Sequence, residues 1–286
     1  MKAQLTITVN TGKWLISRAI TKIPEVQKAF EKGRIVLKGG TTVSCVSEEL
    51  IGLKLRISGR ITPRGTVGSF KSIEAPHSIL IEKGKWENID ECFIEKVLGL
   101  EPGDVIIIGA NAIDTEGNAA IMAGSPGGGN PGKAIAALTA EGVNTIIAAG
   151  LEKLIPGRIP EITRKCGRKV CDFAMGMSVG LIPVYGRIVT EVEALKILGD
   201  VEVTVIGKGG INGAEGSTTI VVEGSEESVK KIIKEVSEAS NRHLSGNEES
   251  LKECKPGSPG CVYHLSCYYS HKNKIKTNFN EVRYFK

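Results

Sequence analysis

The residue types best suited to chemistry stand beside glycine-rich turns. Gly39-Gly40-Thr41-Thr42 follows a short apolar run and opens a helical pattern. Backbone N–H groups at such a turn, backed by a helix dipole and two hydroxyls, suit a phosphate or carboxylate. Asn111 and Asp114 end the most apolar run of the chain, which begins at Gly103. Polar groups at a strand end mark the binding edge of an open α/β sheet. The competing role for Asp114 is an ordinary Asx turn through Gly117. A second glycine run carries Ser125, Gly127, Gly128, Gly129, Gly132 and Lys133. Its Gly-x-x-x-x-Gly-Lys spacing matches a P-loop. However, Ala134 stands where Ser or Thr would hold magnesium, and Pro131 removes a cradling amide. Nucleotide hydrolysis is therefore not expected. Ser125, the glycines and Lys133 are expected to close the far side of an anion site, or Lys133 is a solvated first-turn lysine. Asp114 and Lys133 are the candidate catalytic groups. Glu152 and Lys153 follow the next strand and either reach the same crevice or begin a solvated turn. His77, after Pro76, reads as a loop histidine.

Near the C-terminus, Cys254, Cys261, His264 and Cys267 fall within fourteen residues. Three thiolates and an imidazole satisfy tetrahedral zinc, which suits a segment with no core of its own. The alternative is a disordered tail with incidental thiols. An iron–sulfur cluster more often takes four cysteines, and His243 and His271 are weaker ligand candidates.

Several elements must position these groups. Residues 1–10 alternate like a strand, and 12–32 carry one helical pattern ended by Gly33. A strand at 34–38 runs into Gly39, and hydroxyls at Thr41, Thr42 and Ser44 open the next helix as caps. Strands are expected at 53–61 and 78–81, with a helix at 92–98. Buried strands at 105–109 and 144–150 flank the glycine run and its helix. Beyond them come a helix near 161–165, a strand at 179–185, a helix at 189–198, strands at 201–206 and 218–222, and an amphipathic helix at 225–237. With the strand near Leu181 this last set forms a small β-α-β-β-α unit. The glycine-dense segment 207–216 reads as a lid or a flexible connection. The expected organisation is an α/β core over 1–185, an open and mostly parallel sheet flanked by helices. A ferredoxin-like α+β lid over 186–240 and an irregular polar tail over 241–286 complete it.

Composition bounds the function. The chain has 286 residues, a formal net charge of +5 and 5% aromatic residues. Its basic residues are interleaved with acids, so nucleic-acid binding is not expected. No run of about 18 apolar residues occurs and no signal-peptide core is present. Cys45, Cys92, Cys166 and Cys171 are scattered thiols that suit a reducing, cytoplasmic setting. Homo-oligomerisation is left open.

The order of these pieces resembles the superfamily of ribose-5-phosphate isomerases, glucosamine-6-phosphate deaminases and CoA transferases. The resemblance rests on the turn Gly39–Thr42, the segment Gly109 to Asp114, the glycine run with Lys133, and the strand before Glu152-Lys153. It covers about residues 33–236. It implies a sugar-phosphate or acyl-CoA ligand in a cleft under an α+β lid. The isomerase pattern is incomplete. Ile108 and Asn111 stand where its first two motif aspartates belong, and Asp114 keeps the third. Met122, Ala123 and Ser125 replace its lysine, and its later glutamate falls near Gly132. Enediol chemistry needs a carboxylate base and a cation for the oxyanion, so ordinary pentose-phosphate isomerisation is not expected. No local motif supplies the nucleophilic glutamate of a CoA transferase. The expected function is binding of a phosphorylated sugar or similar small anion, with altered isomerase or transferase chemistry. The alternatives are a non-catalytic metabolite sensor and a metal or redox accessory protein acting through the tail.

Overall fold

The computed structural model describes residues 1–269. β1 (Lys2–Ile7) leads into α1 (Val9–Thr21), which starts where the Thr8 hydroxyl accepts the Thr11 N–H. α2 (Pro24–Lys32) begins on Pro24. A proline is tolerated in a first helical turn but not in a helix interior. The single helix expected over 12–32 is therefore two. β2 (Arg34–Lys38) and α3 (Thr41–Ile51) follow, and α3 closes on Gly52 in the left-handed conformation. The hairpin β3 (Gly59–Thr62) and β4 (Gly65–Gly68) precedes β5 (Ser78–Glu82), β6 (Lys85–Asn88) and α4 (Phe93–Leu98). The strand expected over 53–61 shortens to β3. β7 (Val105–Gly109), β8 (Ala112–Ile113) and β9 (Ala119–Ala123) then lead through the glycine run to α5 (Gly129–Ala140) and β10 (Asn144–Ala148). α6 (Ile159–Thr163), β11 (Gly180–Val184) and β12 (Arg187–Val189) come next. A capping box between Thr190 and Glu193 opens α7 (Glu191–Gly199). β13 (Glu202–Gly209), β14 (Ser217–Glu223) and α8 (Glu226–Ser240) complete the regular elements.

The central sheet has six strands in the order β12-β10-β7-β2-β5-β6. Neighbours from β12 to β2 are parallel, whereas β5 is antiparallel to both β2 and β6. The fold is thus mixed α/β with a mixed sheet. Successive side chains of a strand point to opposite faces. Val105 and Ile107 enter one core with Trp14, Leu15, Val43 and Leu195. Ile106 and Ile108 enter the other with Phe93, Val97, Ala134 and Leu138. Burying each isoleucine contributes about 1.5–3 kcal/mol. Helices α1, α3 and α7 therefore cover one face, and α4 and α5 the other.

A second sheet, ordered β1-β14-β13, completes the first core together with α8. The strand that joins β13 and β14 is β1, from the start of the chain, in register from Lys2 opposite Glu223 to Ile7 opposite Thr218. The strand containing Leu181 pairs instead with β9. A period-2 pattern identifies a half-buried strand but does not name its partner.

The tail is tied down as far as it is described. Asn247 N donates to Leu55 O at 2.8 Å, and Ile57 N donates to Ser250 Oγ at 2.9 Å. Trp14 Nε1 donates to His243 O at 2.9 Å, under the Arg242 guanidinium. His271 lies outside the described residues. Among the described residues no helix is long and apolar enough to cross a membrane.

Candidate functional site

The chain leaves β2 through α3 toward β5, on one side, and leaves β7 toward β10, on the other. Segments diverging from the carboxyl ends of two neighbouring parallel strands open a crevice between them. A cavity of about 410 Å³ lies there, lined by Gly39, Gly40, Thr41 and Thr42 after β2 and by Asn111 after β7. Lys13, Lys38, Arg60 and Lys153 also line it, and among the described residues no Asp or Glu does.

Gly40 holds the N-cap position of α3 with no side-chain cap. The expected capping by Thr41, Thr42 or Ser44 is absent, so the first-turn amides depend on other partners. Ser44 Oγ instead accepts the Leu55 N–H at 2.9 Å. Gly39 is required by close approach. A Cβ there would fall on the His77 carbonyl and lie 2.5 Å from His77 Nδ1.

His77 therefore lines the cavity, contrary to its reading as a plain loop histidine. Its Nδ1 lies 2.8 Å from the Arg56 carbonyl, an acceptor, so Nδ1 carries the proton and Nε2 is left as an acceptor. Burial, then the Lys38 charge, pushes the imidazole down to about 4. Asp90 fixes this turn by accepting from His77 N, Ser78 N and Arg56 Nη2. Lys38 itself, at the end of β2, is pushed down to about 8 by burial. Arg60 donates to Ile57 O and Ser69 Oγ, while its Nε and Nη1 are buried without a hydrogen-bond partner.

A second cavity of about 490 Å³ adjoins the first and shares Lys38, Ser58, His77, Met122 and Met177 with it. Ser125, Gly128 and Gly129 line this second lobe. Gly127 and Lys133 line neither lobe, and Lys133 is exposed. The far-side role expected for Lys133 is thus not carried by the fold.

Asp114 is buried and lines neither lobe. Its carboxylate accepts from Glu116 N, from Asn118 N and Nδ2, and from Ile159 N at 2.9 Å. Burial pushes its pKa up, but the Ile159, Asn118 and Glu116 hydrogen bonds outweigh that and hold it below the usual range. Asp114 is therefore a brace between the β8–β9 turn and α6. Asn111 does line the first lobe. Its Oδ1 accepts the Met122 N–H at 2.9 Å, which fixes the β7–β9 connection.

Cys254, Cys261, His264 and Cys267 surround a space of only about 10 Å³. Among the described residues no group of three or more His, Cys, Asp or Glu is arranged to hold a metal ion. The expected zinc staple is accordingly not formed by these four side chains as they stand.

Lys13, Lys38 and Arg60 were not singled out as site residues from the sequence, and His77 was read there as a loop histidine. Lys38 carried a usable signal, a charge directly before Gly39-Gly40 at the end of an apolar strand. Lys13, inside the buried face of α1, carried none. No family model, curated protein or solved structure matches this chain.

Proposed function

We propose that the first lobe binds the anionic group of a small phosphorylated or carboxylated metabolite, with a phosphorylated sugar as the leading class. The observation that carries this reading is the lining itself, which among the described residues holds four Lys or Arg side chains and no carboxylate beside the N-terminus of α3. Cations in a walled cleft focus the field on an incoming anion. Arg60 keeps unpartnered donors there, and a guanidinium matches phosphate in a bidentate fashion. The resemblance to sugar-phosphate isomerases and CoA transferases supports the same ligand class. The adjoining lobe leaves room for the polar body of the ligand.

Isothermal calorimetry against inorganic phosphate, ribose 5-phosphate and an acyl-CoA tests the reading. At least one should bind, and Lys38→Ala and Arg60→Ala should each weaken it about tenfold or more. Affinity should fall as pH rises through about 8, because Lys38 loses its charge there. No binding of any of the three would end the proposal. A sensor without turnover is the second reading, favoured by the lack of a carboxylate base on the lining. NMR of each binding compound with the protein separates the two, since a product signal excludes the sensor.

A further inference from the structure

We propose that Lys13 is a nucleophilic amine that forms an imine with the aldehyde or ketone carbon of a phosphorylated metabolite held in the first lobe. This deepens the anion-binding reading and rests on it.

Lys13 is only 9% exposed, yet it lines the cavity. Among the described residues it makes no hydrogen bond within the fold and no ion pair within 4.0 Å. Lysines are seldom so buried unless paired, and they usually extend the ammonium to water. The α1 backbone instead holds this amine against the ligand space. Burial lowers its pKa, opposed by Glu152, with Lys153 adding to the depression and Cys45 and Glu191 resisting it. A neutral amine is the nucleophilic form, and a desolvated lysine beside another cation is a recognised way to obtain it.

Two carboxyl groups, Glu152 and Glu191, act electrostatically on Lys13. A Cβ on Gly150 would fall on Glu152 Oε2 and lie 2.8 Å from Glu191 Oε1. A Cβ on Gly12, one residue before Lys13, would also fall on Glu191 Oε1. The absence of side chains at these two glycines leaves room for both carboxyl groups at Gly150 and for Glu191 against α1. Glu191 Oε2 accepts the Leu151 N–H at 2.7 Å. Both Glu152 oxygens are buried without a hydrogen-bond partner, with Lys153 at 3.6 Å as its ion-pair partner. Lys208, on β13, is the further cation near Glu191. Burial first, and the Glu152 charge second, push the Glu191 carboxyl up to about 7.

The bond changes balance without an oxidant or reductant. The Lys13 nitrogen attacks the carbonyl carbon, a C–N bond forms, and the π electrons move to oxygen. The nitrogen then loses a proton and the oxygen gains one through solvent in the cavity, giving a carbinolamine. Solvent, exchanging protons with Glu191 behind the lining, protonates the hydroxyl; water leaves, the C=N bond forms as an iminium, and the iminium N–H proton returns to solvent. The net change is amine plus carbonyl to imine plus water. Lys38, Arg60 and the first turn of α3 hold the phosphate during these steps.

The test uses the full chain and pyridoxal 5′-phosphate, an aldehyde bearing a phosphate, followed by borohydride reduction and peptide mass mapping. The reduced adduct should concentrate at Lys13 and be suppressed by inorganic phosphate. Lys13→Arg should lose it, whereas Lys230→Arg on α8 should keep it. Glu191→Gln and Glu152→Gln should each slow trapping by about 100-fold. Adducts spread over surface lysines, or placed on Lys38 or Lys153 with Lys13 unmodified, would overturn the proposal. Phosphate binding by calorimetry on the same protein separates the two levels. Binding with Lys13 unmodified ends the imine alone, and no phosphate binding ends the anion site and the imine together.

Discussion

Glu191 makes stability depend on pH in a definite direction. Burial first, and the Glu152 charge second, push its carboxyl up from 4.5 to about 7. The folded chain therefore holds a proton that the unfolded chain releases near 4.5. Its contribution to stability is fully present below that value and is lost as pH rises through about 7. The difference is roughly 3 kcal/mol. Glu191→Gln should remove this dependence and be more stable than the parent at pH 8, as measured by urea denaturation at pH 5 and pH 8. Parallel behaviour of the two proteins would assign the proton elsewhere. Gly39→Ala is the second prediction at this scale. The added methyl meets the His77 carbonyl and ring, so either the β2–α3 turn or the His77 turn must shift. The expected result is loss of anion affinity together with lower thermal stability, read by calorimetry and melting.

Asp114 acts at the scale of elements. One carboxylate joins the β8–β9 turn to the first turn of α6 through Glu116, Asn118 and Ile159. Asp114→Ala leaves the buried Ile159 N–H without its acceptor and should cost about 3 kcal/mol. Anion affinity should stay within about twofold, because Asp114 is absent from the cavity lining. A selective loss of affinity at unchanged stability would return Asp114 to the site. The break between α1 and α2 belongs to the same scale. Pro24 forces a new helix start, which lets α2 pack along β2 and β7 while α1 faces α3 and α7.

Across the whole molecule, β1 and the segment after α8 close the structure from opposite ends of the described chain. β1 adds the third strand to β13 and β14, and Met1 N donates to Gly224 O at 2.7 Å. From the other end, residues beyond α8 return to the core. Asn247, Ser250 and Cys254 bond to Leu55, Ile57 and Gly68, and Leu244 and Leu251 line the cavity. A chain truncated after Ser240 should lose about 3 kcal/mol or more and bind anions at least tenfold more weakly. Urea denaturation and calorimetry check both. An unchanged truncated protein would mean that the tail is an appendage.

The apolar runs of β2, β7 and β10, the glycine turn at Gly39–Thr42 and the helices α7 and α8 follow from local rules. Each depends on residues a few positions apart, so the strand ends that border the crevice were legible in the sequence. Partner choice was decided only in three dimensions. The same alternation that marks β1 as a strand is silent on its pairing with β14, more than two hundred residues away. Likewise, the burial of Lys13, the partial burial of Lys38, the place of His77 on the cavity wall and the closure of Asp114 by Ile159 depend on distant neighbours. Desolvation and hydrogen-bond satisfaction are properties of a surrounding assembled from the whole chain, which is why those residues became visible only once it was folded.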